Sequence, residues 1–239
     1  MKVEVCTDAD AVALVAAKLI AKTARDAIAT RGKFVMAVSG GKTPWIMLRH
    51  LAQEDLPWKG VHVVQVDERI APEGDSDRNL THLRESLLEH APLSPDQLHA
   101  MPVEANNLET ACVQYAQTLA EIAGSPPVVL DLVHLGLGPD GHTASLVPGD
   151  AVLNVTNIDV ALTGIYQRRR RMTLTYPIIN RSRCVLWLVT GVEKAGMLTR
   201  LQAGDVAIPA GRVGGDRAIV LADRDAAGQS AKESKTEVA

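Results

Sequence analysis

Two rhythms of apolar and polar residues alternate along this chain. Mainly apolar runs at Lys33–Val38, Val61–Val66, Val128–Leu135 and Cys184–Thr190 read as strands, the first of them short and unbroken as in a strand buried on both faces. Met1–Val5 and Arg217–Leu221 read as shorter strands at the two ends of the series. Between these runs, apolar residues recur at helical spacing. An alanine-rich helix is predicted from Asp8 to Arg31 on Val12, Val15, Leu19 and Ile20, with Asp8 or Asp10 as its cap and Gly32 as its stop. Further helices are predicted over Pro44–Leu51, Asn79–His90, Leu108–Ala123 and Glu193–Gln202. Strand and helix in alternation predict an α/β fold, a doubly wound, mainly parallel sheet with helices on both faces. No repeat or linker-like shift divides the chain, so one domain over residues 1–225 is expected. The small, charged segment from about Ala226 to Ala239 is expected to be a disordered tail.

Composition narrows the possible functions. Of 239 residues 46% are hydrophobic and 22% charged, as in ordinary globular proteins, and the formal net charge of −3 offers no global field for nucleic acid. No apolar run approaches the roughly 18 residues of a membrane span, and the start of the chain carries no secretory pattern. Cys6, Cys112 and Cys184 are odd in number and widely spaced, which suits a reducing compartment and makes neither a disulfide framework nor a metal motif. A cytoplasmic protein is expected, with no membrane or nucleic-acid partner. Oligomeric state is left open, a monomer being the simpler expectation.

The candidate chemistry lies at predicted strand ends, where open α/β sheets bind ligands. Ser39-Gly40-Gly41-Lys42-Thr43-Pro44 joins a strand to a helix. Glycines permit close backbone approach, the helix start offers free N–H groups, and Ser39, Lys42 and Thr43 add hydroxyls and charge, which suits a phosphate. A plain capped turn is the bland alternative. The spacing is not that of a Walker loop, and a relaxed nucleophile elbow at Ser39 is a further alternative. Gly136, Gly138 and Gly141 satisfy Gly-x-Gly-x-x-Gly, but Pro148-Gly149 interrupts the crossover helix that a dinucleotide site needs. That leaves Asp140 and His142 on a glycine-rich loop. Histidine suits general-base work near neutrality, and a carboxylate beside it can orient the ring. Asp67-Glu68-Arg69 closes another strand as a further group of catalytic candidates, with Arg69 able to hold an oxyanion or phosphate. Arg168–Arg171 is a basic run without interleaved aromatics. The other histidines, at 50, 62, 82, 90, 99 and 134, lack metal-ligand spacing, so no metal is expected.

Taken together and in order, Ser-Gly-Gly-Lys-Thr-Pro, Asp-Glu-Arg, Leu-Gly-x-Gly-x-Asp-Gly-His-Thr-Ala-Ser-Leu and Arg-Met-Thr-Leu-Thr resemble the 6-phosphogluconolactonase family. Asn79, Gly191–Lys194 and Pro209-Ala210 agree, and the resemblance spans about residues 3 to 223. It implies a Rossmann-like α/β fold and hydrolysis of a phosphorylated sugar lactone without any cofactor. It implies that Ser39–Thr43, Arg171 and Lys194 hold the phosphate, Arg171 being the arginine of the run that matches the family's Arg-x-Thr-Leu-Thr. It also implies His142 as the base, with Asp140 either orienting it or serving the turn. The related glucosamine-6-phosphate isomerases resemble the same loop but carry a glutamate five residues after the histidine, where this chain has Val147. They also tend to have an aromatic where it has Arg69. A non-catalytic sugar-phosphate binder is the alternative from another class.

Overall fold

The computed structural model describes residues 1–124 and 126–229. Its main body is a seven-stranded sheet built from β1 (Lys2–Cys6), β2 (Phe34–Val38), β3 (Val61–Gln65), β5 (Leu98–His99), β6 (Leu132–Gly136), β9 (Val185–Val189) and β10 (Ala218–Asp223). The order is β1-β10-β9-β6-β2-β3-β5, and every neighbouring pair is parallel. From β2 the chain moves outward through β3 to β5, then returns to β6 and moves the other way. The order therefore reverses between β2 and β6, which opens a crevice beyond their carboxyl ends.

Side-chain alternation along the strands divides the core into two layers. Phe34, Met36 and Val38 of β2 face α1 (Ala9–Arg31) and α2 (Lys42–Ala52). Val35 and Ala37 face the opposite layer, which contains α4 (Leu108–Ala123), α5 (Tyr176–Arg181) and α6 (Ala195–Gln202). The buried stripe of α1 is largely alanine (Ala13, Ala16, Ala17, Ala21, Ala24, Ala27), which lets the helix lie close to the sheet. Asp8 caps its start by accepting from the Ala11 N–H, and Gly32 ends it at φ 78°.

Several boundaries differ from those expected. Helix α2 starts two residues before Pro44, so Lys42 and Thr43 form its first turn. The helix predicted over Asn79–His90 is regular only as α3 (Asn79–Leu83) and continues as a π turn over Arg84–Leu88. The first half of the Val128–Leu135 run is not strand. The tail does not begin at Ala226, which is buried and donates its N–H to Asp223 Oδ1 at 2.8 Å. Residues 230–239, the rest of that expected tail, lie outside the described residues.

The larger departure is a second sheet. Asp67–Arg69 does not merely close β3; it forms its own strand β4, which pairs antiparallel with β8 (Arg171–Leu174), and β8 pairs antiparallel with β7 (Val160–Leu162). Strands of three or four residues are too short for periodicity to reveal. This small sheet closes one side of the crevice.

His134 on β6 is completely buried. Its Nδ1 accepts the Ser39 N–H at 3.2 Å, so the ring is neutral with its proton on Nε2. Burial pushes its pKa down to about 3. Burial also lowers His62 and His99, whose rings meet at 3.2 Å across β3 and β5. The unfolded chain takes up these protons near pH 6.5 while the folded chain resists, so stability is full above that pH and is lost as pH falls below it. Between pH 8 and pH 5 His134 alone should account for about 2 kcal/mol of that loss. Thermal melts across this range should show a shallower acid decline for His134→Gln than for wild type.

Candidate active site

Three loops and one strand edge meet at the switch point and enclose a cleft of about 460 Å³, within the usual range for small-ligand sites. From the end of β2 come Ser39, Gly40, Gly41, Lys42 and Thr43. Gly41 occupies the cap of α2 without a side-chain hydrogen bond, so the first N–H groups of the helix face the cleft uncapped. Ser39 is buried and its hydroxyl has no partner among the described residues. His134 beneath it takes the Ser39 backbone N–H rather than the hydroxyl, which leaves Ser39 without the base a nucleophile elbow requires. Thr43 shares a hydroxyl contact of 2.9 Å with Thr190, which also lines the cleft.

The loop after β6 supplies the candidate base. Gly138 N–H donates to the His142 carbonyl at 2.8 Å and Gly141 N–H to the Gly138 carbonyl at 3.0 Å, which curls residues 138–142 into one tight turn. Inside it, His142 Nδ1 lies 2.5 Å from Asp140 Oδ1, and the His142 backbone N–H donates to the same oxygen at 3.1 Å. A carboxylate only accepts, so the proton sits on Nδ1 and Nε2 is left as the free basic nitrogen. Desolvation acts to raise the Asp140 pKa, but the His142 hydrogen bonds and charge, with the Tyr166 hydroxyl, outweigh it and hold the carboxyl below its ordinary value. The turn leans on the chain that follows α6: Ala210 N–H donates to the Gly141 carbonyl at 2.9 Å. No crossover helix follows this loop; the chain runs through turns into a short 3-10 segment at Ala151–Asn154, so the dinucleotide motif lacks its required context.

Strand β4 divides its three candidates by pleat. Asp67 and Arg69 line the cleft, whereas Glu68 faces the other way and does not. Grouping Glu68 with the cleft residues is therefore corrected. It is fully buried and accepts from the backbone N–H groups of Arg69, Asn79 and Leu80 and from Gln65 Nε2, with Arg78 Nε 3.2 Å away. Asp67 accepts from Ser145 Oγ at 2.5 Å. Arg69 donates to Asn79 Oδ1 at 3.0 Å, and Asn79 stands so close to Gly40 that a Cβ there would meet its Oδ1 at 2.1 Å.

Of the four consecutive arginines only Arg171 lines the cleft. Arg169 is held outside by Asp75 and Asp77, Arg170 reaches toward Glu109, and Arg168 is exposed on a turn. Arg171 is buried, which lowers its pKa, yet a guanidinium remains charged. Its Nη1 donates to Ser145 Oγ at 3.4 Å and its Nη2 to Gln167 Oε1 at 3.1 Å. Lys194, from the 3-10 turn before α6, completes the wall. Four cationic side chains (Lys42, Arg69, Arg171, Lys194) thus face two carboxylates (Asp67, Glu193), a local positive excess in a slightly acidic protein.

Thr190, Gln167 and Tyr166 were not singled out by the sequence, and Ser145 and Glu193 stood only inside longer matching stretches without a role of their own; isolated polar residues carry no pattern that would have marked them. A second, more apolar groove of about 680 Å³ runs between α4 and β7 and contains none of the candidate site residues. No group of three His, Cys, Asp or Glu side chains among the described residues is placed to hold a metal ion. Among the same residues, no helix is long and apolar enough to cross a membrane.

A family model described as glucosamine-6-phosphate isomerases/6-phosphogluconolactonase matches residues 7–221. The chain is 37% identical to 6-phosphogluconolactonase of Mycobacterium tuberculosis, over 94% of this chain and 96% of that one. The solved structure of 6-phosphogluconolactonase from Trypanosoma cruzi aligns with a TM-score of 0.85 at 26% identity, over 97% of each chain. A monomeric glucosamine-6-phosphate deaminase aligns with a TM-score of 0.82 at 22% identity, over 96% of this chain and 100% of that one, a likeness of fold alone.

The geometry makes Gly138 a steric requirement of the His142 ring position, because a Cβ there would meet His142 Nδ1 at 2.1 Å. A crystal structure of Gly138→Ala should show the imidazole turned out of contact with Asp140. Its melting temperature should stay within a few degrees of wild type, since the ring is only part-buried. An undisturbed His142–Asp140 pair in that variant would contradict this account.

Proposed function

The chain belongs to the glucosamine-6-phosphate isomerase/6-phosphogluconolactonase family, and from that premise we infer that its cleft hydrolyses 6-phosphogluconolactone with His142 as general base. It is a lactone hydrolase of the pentose phosphate pathway. The observation that carries the mechanistic reading is the His142 ring, fixed by Asp140 through Nδ1 with Nε2 free at the cleft.

The phosphate of the substrate binds at the uncapped start of α2, among the Ser39 and Thr43 hydroxyls and the charges of Lys42, Arg171 and Lys194. Anchoring this remote group turns encounter into orientation and brings the lactone carbonyl to His142. His142 Nε2 takes a proton from water as the water oxygen bonds to the carbonyl carbon. Arg69 and backbone N–H groups stabilise the resulting oxyanion. The bond from that carbon to the ring oxygen then breaks, and the ring oxygen receives the proton held on Nε2. Asp140 steadies the imidazolium between the two transfers. A lactone is already an activated ester, and a positioned general base contributes about 10²–10⁴-fold, so these residues suffice for the task. Unpaired Cys6, Cys112 and Cys184 suit a cytoplasmic setting for this activity.

Val147, buried and apolar, stands where the isomerases of the family carry a glutamate, so the carboxylate of that other chemistry is missing from the loop. Freshly made 6-phosphogluconolactone, with spontaneous hydrolysis subtracted, tests the reading. His142→Ala should lower kcat by about 10²–10⁴-fold and leave affinity for the product within a few-fold. Lys194→Ala should mainly raise KM, by roughly tenfold, as loss of one charged contact predicts. Turnover near wild type in His142→Ala would end the general-base reading. Ammonia release from glucosamine 6-phosphate would move the assignment to the deaminases.

A further inference from the structure

Tyr166 does not line the cleft, yet it joins the base to the buried cation. It sits at the tip of the hairpin between β7 and β8, where Tyr166 and Arg169 exchange backbone hydrogen bonds of 3.0 and 3.2 Å. The two residues between them, Gln167 and Arg168, take φ values of 50° and 69°, the left-handed turn that suits the twist of a two-residue hairpin. Arg169 pins the outside of this tip to Asp75 and Asp77, and Gln167 pins its inside to Arg171. Within that frame the Tyr166 hydroxyl donates to Asp140 Oδ2 at 3.2 Å, while Asp140 Oδ1 holds His142. The Tyr166 ring stands edge-on to the His142 ring, with centroids 5.5 Å apart and planes at 64°. The Arg171 guanidinium carbon lies 5.0 Å from the centre of the same ring.

These contacts converge where constraint is most needed. The Asp140 side chain is 36% exposed and that of His142 21% exposed, so packing alone does not lock either one. A carboxylate held through one oxygen can swing about its terminal torsion, whereas one held through both cannot. We propose that Tyr166 is a positioning residue, locking the Asp140 carboxylate so that His142 keeps Nε2 aimed at the substrate, and covering Arg171 with its ring. The hydroxyl serves the chemical step through Asp140, and the ring serves binding through Arg171, where cation–π attraction adds to the hydrogen bonds. This rests on the reading of His142 as the base.

The experiment compares wild type, Tyr166→Phe, Tyr166→Leu, Asp140→Asn, the Asp140→Asn/Tyr166→Phe double variant and His142→Ala on 6-phosphogluconolactone. Tyr166→Phe should lower kcat about tenfold, as loss of one hydrogen bond to a charged group implies, with KM within twofold. Tyr166→Leu should in addition raise KM several-fold. In the Asp140→Asn background the Phe substitution should cost little more, because its effect passes through that carboxylate. Wild-type kcat in Tyr166→Phe would overturn the proposal, as would a fully additive double variant or kcat and KM changing together with a lowered melting temperature. His142→Ala separates the two levels. If it keeps wild-type turnover the general-base reading fails; if it is inactive while Tyr166→Phe is unaffected, only the role of Tyr166 fails.

Discussion

One buried carboxylate holds the wall of the cleft in place. Glu68 has no exposed surface, and burying its charge is tolerable only because four hydrogen bonds and the Arg78 guanidinium converge on its two oxygens. Two of those bonds come from the first residues of α3, whose N–H groups would otherwise be unsatisfied. Another comes from the backbone of Arg69. The carboxylate therefore ties β4 to α3 and sets Arg69 and Asn79 side by side. Asn79 in turn rests against Gly40, which carries the constraint across the cleft to the loop after β2.

The cleft is preorganised by two different devices. On the main sheet, strand ends and a helix start present backbone donors and the His142 turn, held by short-range hydrogen bonds. On the small antiparallel sheet, buried side chains hold Arg171: Asp67 binds the Ser145 hydroxyl, and Ser145 contacts the guanidinium. Such chains are effective because each polar group arrives already desolvated and oriented, so little reorganisation is left for the moment of reaction. The β7–β8 hairpin links the two devices through Gln167 and Tyr166.

Some of the site was legible because its signals are local. The glycine-rich turns, the histidine two residues after an aspartate and the uncapped helix start need only neighbouring residues, and the structure brings Ser39–Thr43, Asp67, Arg69, His142, Arg171 and Lys194 around one cleft. Glu68 shows the limit of that reading. Its neighbours Asp67 and Arg69 face the cleft, but the pleat of a strand too short to be recognised turns Glu68 into the core. Tyr166 gave no signal, and Ser145 none beyond its place in the glycine-histidine stretch, since their meaning lies in partners 26 and 78 positions away in the chain.

By itself the sequence determined the α/β alternation, the parallel sheet and the family, since short apolar runs, helical periodicity and ordered glycine motifs are properties of contiguous residues. Tertiary structure alone decided the second sheet and the sidedness of Asp67-Glu68-Arg69. Those outcomes depend on which strands pair and in what register. A shift of one residue exchanges the buried face for the exposed one, and only the packed chain selects between them.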